Sequence, residues 1–115
     1  MLLVSGCATI GGRPPAAGRS EVGLASYYAR KFEGRRTASG ERYDAGEMTA
    51  AHRTLEFGTR VRVTRLDDGR QVEVRINDRG PWVEGRVIDL SRRAAERLDI
   101  VRAGTARVRV EVVGD

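Results

Sequence analysis

The sequence of 115 residues is long enough for one domain and no more. Its formal net charge is +5, and Lys31 is the only lysine among its 21 basic residues. Such an arginine-rich chain suits an anionic polymer as a partner, although a GC-rich genome would produce the same bias. Because aromatic residues make up only 5% of the chain and no nucleic-acid motif is present, we expect no nucleic-acid partner.

Residues 1–20 differ in composition from the rest of the chain. Val4, Ser5 and Gly6 precede Cys7, the only cysteine, in the order of a bacterial lipobox, and a Gly- and Pro-rich stretch follows. We therefore expect residues 1–20 to be a signal remnant with a flexible tether, and Cys7 to carry lipid. A signal also needs an apolar region of about 7–15 residues, so we expect the natural start to lie upstream. No segment is long enough to span a membrane, so lipid alone would attach the protein.

Alternation of apolar and charged residues predicts that residues 21–115 are mainly β. Residues 60–64, 71–77 and 107–112 each place Val or Ile on one face, and residues 23–28 and 86–90 suggest two shorter strands. Gly69 predicts a hairpin turn between the first two. Ser91 is a good N-cap for one helix that buries Ala94, Ala95 and Leu98 and ends near Asp99.

Few residues are candidates for chemistry. Asp78 ends the strongest strand, where a turn or a functional site is expected. Glu41, in a polar segment without periodicity, is either a solvated loop carboxylate or the second member of an acid pair able to break a glycosidic bond. His52, the only histidine, is more often a structural group than a ligand. With no spaced cluster of Cys and His, we expect neither a metal nor a cofactor.

These residues belong to runs that resemble the rare lipoprotein A family, septal-ring lytic transglycosylases with a double-psi β-barrel. The matching runs are GLASYY at 23–28, RTASGE at 36–41, MTAAH at 48–52, FGT at 57–59, RINDRGP at 75–81 and VIDLS at 87–91. They occur in the order of the family and cover residues 22–113. The resemblance implies a small six-stranded double-psi β-barrel with one or two short helices over residues 21–115.

The resemblance also implies roles for particular residues. Asp78 would be the acid, Glu41 would position the sugar or stabilise positive charge, and His52 would orient its neighbours. Further substrate contacts are expected from Asn77, Arg75, Arg79 and Tyr43. The implied reaction cleaves the β-1,4 bond between N-acetylmuramic acid and N-acetylglucosamine, and the C6 hydroxyl group of the muramic acid closes a 1,6-anhydro ring without water.

The expected partners are peptidoglycan strands, a membrane reached through lipid on Cys7, and septal proteins. The expected location is the cell envelope, on the periplasmic face of the outer membrane, and we expect a monomer active in daughter-cell separation. Two alternatives stay open from the sequence. One is a hydrolase with Asp78 and Glu41 placed around a water molecule. The other is an expansin-like module that binds glycan without cutting it.

Overall fold

A computed structural model describes residues 19–114 of the chain. It contains one α-helix, α1 (Arg92–Leu98), and a single 3-10 turn at Arg30–Phe32. The six strands are β1 (Ser20–Tyr27), β2 (Thr49–Ala51), β3 (Arg60–Arg65), β4 (Gln71–Asp78), β5 (Arg86–Leu90) and β6 (Ala106–Gly114). Cys7 and most of the predicted tether lie outside the described residues, whereas Ser20, the last residue of that segment, begins β1. No helix among residues 19–114 is long and apolar enough to cross a membrane.

The strands close into a barrel in the order β1–β5–β2–β4–β3–β6, with β6 pairing back to β1. The pairs β1–β5 and β2–β4 are parallel, and the other four pairs are antiparallel. This topology confirms the predicted six-stranded barrel. Alternation predicts β3, β4 and β6, and the sequence also suggests β1 and β5 as shorter strands. Only β2 was not predicted, because its three residues, all buried, are too few for a period of two to be visible.

The core follows from the alternation that the sequence predicts. Inward-facing residues of β3 to β6 fill the barrel, among them Val61, Val74, Ile76, Ile88 and Val108. A barrel of this size has an interior just wide enough for such side chains, so burial of the branched apolar residues drives its closure.

Helix α1 packs beside this core as the sequence predicts. Oγ of Ser91 accepts a hydrogen bond of 3.3 Å from the backbone N–H of Ala94, the predicted N-cap contact. The helix buries Ala94, Ala95 and Leu98. It ends at Asp99, which has a left-handed backbone conformation with φ 60°.

Each parallel strand pair contains a register shift, and one of them positions the site. Ala50 of β2 lies opposite Ile76 of β4, whereas the next residue, Ala51, lies opposite Asp78. The skipped residue, Asn77, is therefore the extra residue of a β-bulge. The bulge brings Asp78 onto the same face as Ala51, whereas strict alternation along β4 would turn its side chain to the other face.

Candidate active site

An open groove of about 740 Å³ runs over the ends of β1, β2, β4 and β5. We name it the Asp78 groove. Its lining residues are Ser26, Tyr27, Tyr28, Ala29, Phe32, Arg35, Arg36, Ala51, Asp78, Arg79, Gly80, Pro81, Trp82, Val83, Arg86 and Asp89. The groove combines exposed aromatic surface, several guanidinium groups and carboxylates, which is a composition suited to an acidic polysaccharide.

Asp78 lies in this groove with both carboxylate oxygens engaged. Oδ1 accepts hydrogen bonds from the backbone N–H groups of Ala38, at 2.8 Å, and Arg79, at 2.9 Å. Oδ2 accepts a hydrogen bond of 2.5 Å from the hydroxyl group of Tyr28. These contacts come from three separate parts of the chain, so they hold the carboxylate in one orientation at the end of β4.

Tyr28 directly follows β1 and lines both the Asp78 groove and a smaller cavity of about 360 Å³. Burial, and next the hydrogen bond to Asp78, raise the pKa of Tyr28 above its ordinary value. The phenol therefore stays protonated and is the donor in its bond to Asp78.

The ring of Tyr43 packs against the ring of Tyr28. The two rings stack with centroids 4.4 Å apart and planes inclined by 13°. Tyr43 is only 3% exposed, and its hydroxyl oxygen accepts a hydrogen bond from the backbone N–H of Arg92. It lines the smaller cavity and not the Asp78 groove. The structure thus gives Tyr43 a supporting contact, and the substrate contact expected of it stays a prediction.

Glu41 lies beside the Asp78 groove, outside its lining. Its carboxylate accepts hydrogen bonds from Arg75, at 2.7 Å, and from the side-chain amide of Asn77, at 3.1 Å. These two bonds, that from Arg75 above all, lower the pKa of Glu41 below its ordinary value. Since Ala38 of the same loop donates to Asp78, this cluster holds the loop that positions the acid. The structure therefore brings Glu41, Arg75 and Asn77 together next to Asp78.

The imidazole of His52 points away from Asp78. Its Nδ1 accepts from the backbone N–H groups of Thr54 and Leu55, each at 3.2 Å, so its Nε2 carries the proton and donates to Glu21 across 2.6 Å. The side chain is buried and lines a cavity separate from the Asp78 groove. His52 contacts the site through its backbone, because its N–H donates to the carbonyl oxygen of Asp78. The orienting role expected of the ring stays a prediction.

Arg79 links the groove to the loop that follows β2. Its guanidinium donates a hydrogen bond of 3.1 Å to the backbone oxygen of His52 and lies 4.2 Å from the ring centroid of Phe57. A cation held over an aromatic face in this way keeps a fixed position. Arg79 therefore presents a positive charge at the edge of the groove, where the sequence predicted a substrate contact.

Sequence reasoning gave no site role to Tyr28, Trp82 or Asp89, which all line the groove. Trp82 is 72% exposed at its edge, which is unusual for so large an apolar side chain. Asp89 faces the groove from β5, where the other residues between 87 and 90 are buried and apolar. A lone carboxylate in so apolar a strand is a signal that could have identified Asp89 from the sequence. No group of three or more His, Cys, Asp or Glu side chains within residues 19–114 could hold a metal ion.

Comparison with known proteins shows sequence similarity over most of the described residues. Residues 20–110 match the family model described as "Lytic transglycolase". Three curated relatives are each named "Endolytic peptidoglycan transglycosylase RlpA". The protein of Campylobacter jejuni is 50% identical over 86% of this chain and 36% of its own length. The protein of Vibrio cholerae is 52% identical over 84% and 36%. That of Pseudomonas aeruginosa is 58% identical over 78% and 26%. This chain thus spans about a quarter to a third of their length.

Two solved structures share the barrel. The Streptomyces papain inhibitor superimposes with a TM-score of 0.70 at 23% identity, over 88% of this chain and 99% of that one. The apo expansin of Clavibacter michiganensis superimposes with a TM-score of 0.65 at 26% identity, over 84% of this chain and 52% of that one. Likeness at this level of identity concerns the fold, and it agrees with the double-psi β-barrel expected from the sequence.

Proposed function

Because the chain belongs to the lytic transglycolase family, within which its relatives carry the rare lipoprotein A name, we propose that it cleaves peptidoglycan glycan strands as a lytic transglycosylase. The bond broken is the β-1,4 linkage between N-acetylmuramic acid and N-acetylglucosamine, and the product ends in 1,6-anhydro-N-acetylmuramic acid. The activity would serve cell-wall remodelling and the separation of daughter cells.

The observation that carries this proposal is the carboxyl group of Asp78 at the groove. A protonated Asp78 gives its proton to the bridging oxygen as the bond to the anomeric carbon breaks. The same carboxylate then takes the proton of the C6 hydroxyl group, whose oxygen bonds to the anomeric carbon. The leaving and entering oxygens occupy the same face of the sugar, so one carboxyl group on that face serves both steps. Water is neither consumed nor released.

The lining of the groove supports an anionic, sugar-based substrate. Arg35, Arg36 and the exposed indole of Trp82 all line the groove. Guanidinium groups pair with carboxylates such as the lactyl groups of muramic acid, and a flat aromatic ring can cover the apolar face of a sugar. The glycan would therefore lie along the groove and pass over Asp78.

The test is the chemical nature of the product. The purified chain should release fragments ending in 1,6-anhydro-N-acetylmuramic acid from intact sacculi or from stripped glycan. Mass spectrometry identifies them, since each is lighter by one water than its hydrolysed equivalent. An Asp78→Asn variant treated identically is the matched control. Reducing ends without the anhydro ring would show a hydrolase instead.

The second candidate is an expansin-like module that loosens glycan without cutting it. Likeness to the Clavibacter michiganensis expansin favours this candidate, and a variant of that protein, 22% identical to this chain, has been solved in complex with cellohexaose. Binding to both glycan substrates with no fragments released would favour the expansin-like module.

We further propose that lipid on Cys7 holds the protein at the periplasmic face of the outer membrane, near septal proteins and as a monomer. The support is the order of residues 4–7, with the only cysteine of the chain preceded by small residues. Expressed from its full-length gene, a Cys7→Ser variant should move from the membrane fraction to the periplasm. A parent protein that is already free of the membrane after export would contradict the lipid anchor.

A further inference from the structure

A second carboxylate, that of Asp89, faces the Asp78 groove from the other side of β2. Ala51 lies opposite Asp78 of β4 on one side and opposite Asp89 of β5 on the other. Two strand spacings therefore separate the two aspartates, which places their Cα atoms about 10 Å apart. All three residues line the groove, so the small side chain of Ala51 forms the floor between two carboxylates.

The two carboxylates differ in whether each has an oxygen atom that accepts no hydrogen bond from the described residues. Each oxygen of Asp78 already accepts hydrogen bonds from the protein, with one bond to Oδ2 and two to Oδ1. Asp89 uses Oδ1 to accept a bond of 2.7 Å from Arg86. Among residues 19–114 the structure records no donor to Oδ2 of Asp89, whose side chain is 21% exposed. Asp89 therefore has an oxygen that can accept a hydrogen bond from a ligand.

Tyr28 lies within the influence of both carboxylates. After burial and the bond to Asp78, the charge of Asp89 adds to the rise in the pKa of Tyr28. Both aspartates are thus close enough to act on one group in the groove. By contrast, Glu41, expected to stabilise positive charge on the sugar, lies outside the lining and is already bound by Arg75 and Asn77.

We propose that Asp89 is the carboxylate that acts on the opposite face of the sugar from Asp78. Its Oδ2 accepts a hydrogen bond from the N–H of the 2-acetamido group, which turns the acetamido carbonyl oxygen toward the anomeric carbon. This inference rests on the proposed transglycosylase function and adds Asp89 as the residue that positions the 2-acetamido group of the same substrate.

The chemistry balances without another reactant. Asp78 protonates the bridging oxygen, and the bond from that oxygen to the anomeric carbon breaks while the acetamido oxygen bonds to the same carbon. The negative charge of Asp89 stabilises the resulting cation from the face of the sugar opposite Asp78, as a preorganised charge does. The C6 oxygen then displaces the acetamido oxygen and passes its proton to Asp78.

The test uses two variants and a chemical rescue. Asp89→Asn, which preserves shape but removes the charge, should release anhydro products about 100 to 1,000 times more slowly than the parent protein. Its binding to insoluble sacculi should stay within a few-fold of the parent. Formate should restore the activity of Asp89→Ala at least in part, since it returns a carboxylate to the vacated space. The matched control, Glu73→Gln, removes an arginine-paired carboxylate outside the groove.

The outcomes separate this inference from the proposed function. A parent protein that releases no anhydro product contradicts the function itself. An active parent with Asp89→Asn equally active contradicts only the role of Asp89. A folded Asp89→Ala that is inactive and gains nothing from formate also contradicts it, because a purely structural ion pair with Arg86 then explains the loss.

Discussion

The hydroxyl group of Tyr28 donates a hydrogen bond of 2.5 Å to Oδ2 of Asp78, which lies 50 residues further along the chain. The bond joins the ends of β1 and β4, two strands that are not neighbours in the barrel. It fixes the orientation of the acid and leaves the phenol protonated, because the pKa of Tyr28 is raised. Removing this hydrogen bond therefore tests whether it holds the carboxyl group of Asp78 in its orientation.

Replacing Tyr28 with Phe should slow glycan cleavage about 10- to 100-fold. This fold-change corresponds to the free energy that one hydrogen bond to a charged group contributes. The fold should persist because the ring still stacks on Tyr43. Since the raised pKa keeps the Tyr28 phenol neutral, the ratio of the two rates should be constant from about pH 7 up to the ordinary tyrosine range near pH 10. A ratio that varies with pH in that interval would assign the titration to Tyr28.

Asp78→Asn should abolish release of anhydro products while the barrel stays folded. The amide preserves the shape of the side chain but cannot exchange a proton with the sugar. We expect a loss of at least about 100-fold, at the lower limit of general acid catalysis. Product release and circular dichroism are the measurements. Near-parental activity with an unchanged spectrum would remove Asp78 from the acid role.

Glu41→Gln should destabilise the protein modestly, by at most about 1 kcal/mol at pH 7, because the Glu41 side chain is 44% exposed and solvent screens its pair with Arg75. The pKa of Glu41 is lowered in the folded protein, so this stability is fully present above the ordinary value of 4.5. It is lost as the pH falls through the folded value below 4.5. Urea denaturation of both proteins should give a difference at pH 7 and a smaller difference at a pH below 4.5. An equal difference at both pH values would contradict the ion pair.

Gly23→Ala should destabilise the barrel by about 1–3 kcal/mol through overpacking. A Cβ at position 23 would lie 2.4 Å from Cγ1 of Val87, where β1 meets β5. The control is the same substitution in a Val87→Ala background, where both contacts with the Val87 methyl groups are removed, only the contact with the backbone oxygen of Gly85 remains, and the cost should fall. Thermal or urea denaturation of the four proteins measures the coupling, and a cost independent of Val87 would locate the strain elsewhere.

Trp82→Ala should weaken glycan binding about 2- to 10-fold, as expected for the loss of one aromatic contact. Stability should hardly change because the side chain is 72% exposed. Val22→Ala, another exposed apolar residue but outside the groove, is the matched control. Binding to insoluble sacculi provides the measurement, and equal effects from both substitutions would argue against Trp82 as a sugar contact.

The sequence by itself determined the parts of this protein that depend on neighbouring residues. Alternation predicted β3, β4 and β6, Gly69 marked the turn with its φ of 81°, and Ser91 marked the start of the helix. Each of these signals operates within a few residues, through the period of a strand or through one backbone hydrogen bond. The motif runs also identified the family, which the relatives confirm.

Tertiary structure alone decided which of the candidate residues meet. The bulge at Asn77, set by pairing with the short strand β2, turns Asp78 into the groove, and the strand order places Asp89 two strands away. The ring of His52 turns away from Asp78 toward Glu21 because two backbone N–H groups hold its Nδ1. These relationships depend on register between segments distant in the chain. No local periodicity encodes them, because a shift of one residue reverses the face on which every following side chain lies.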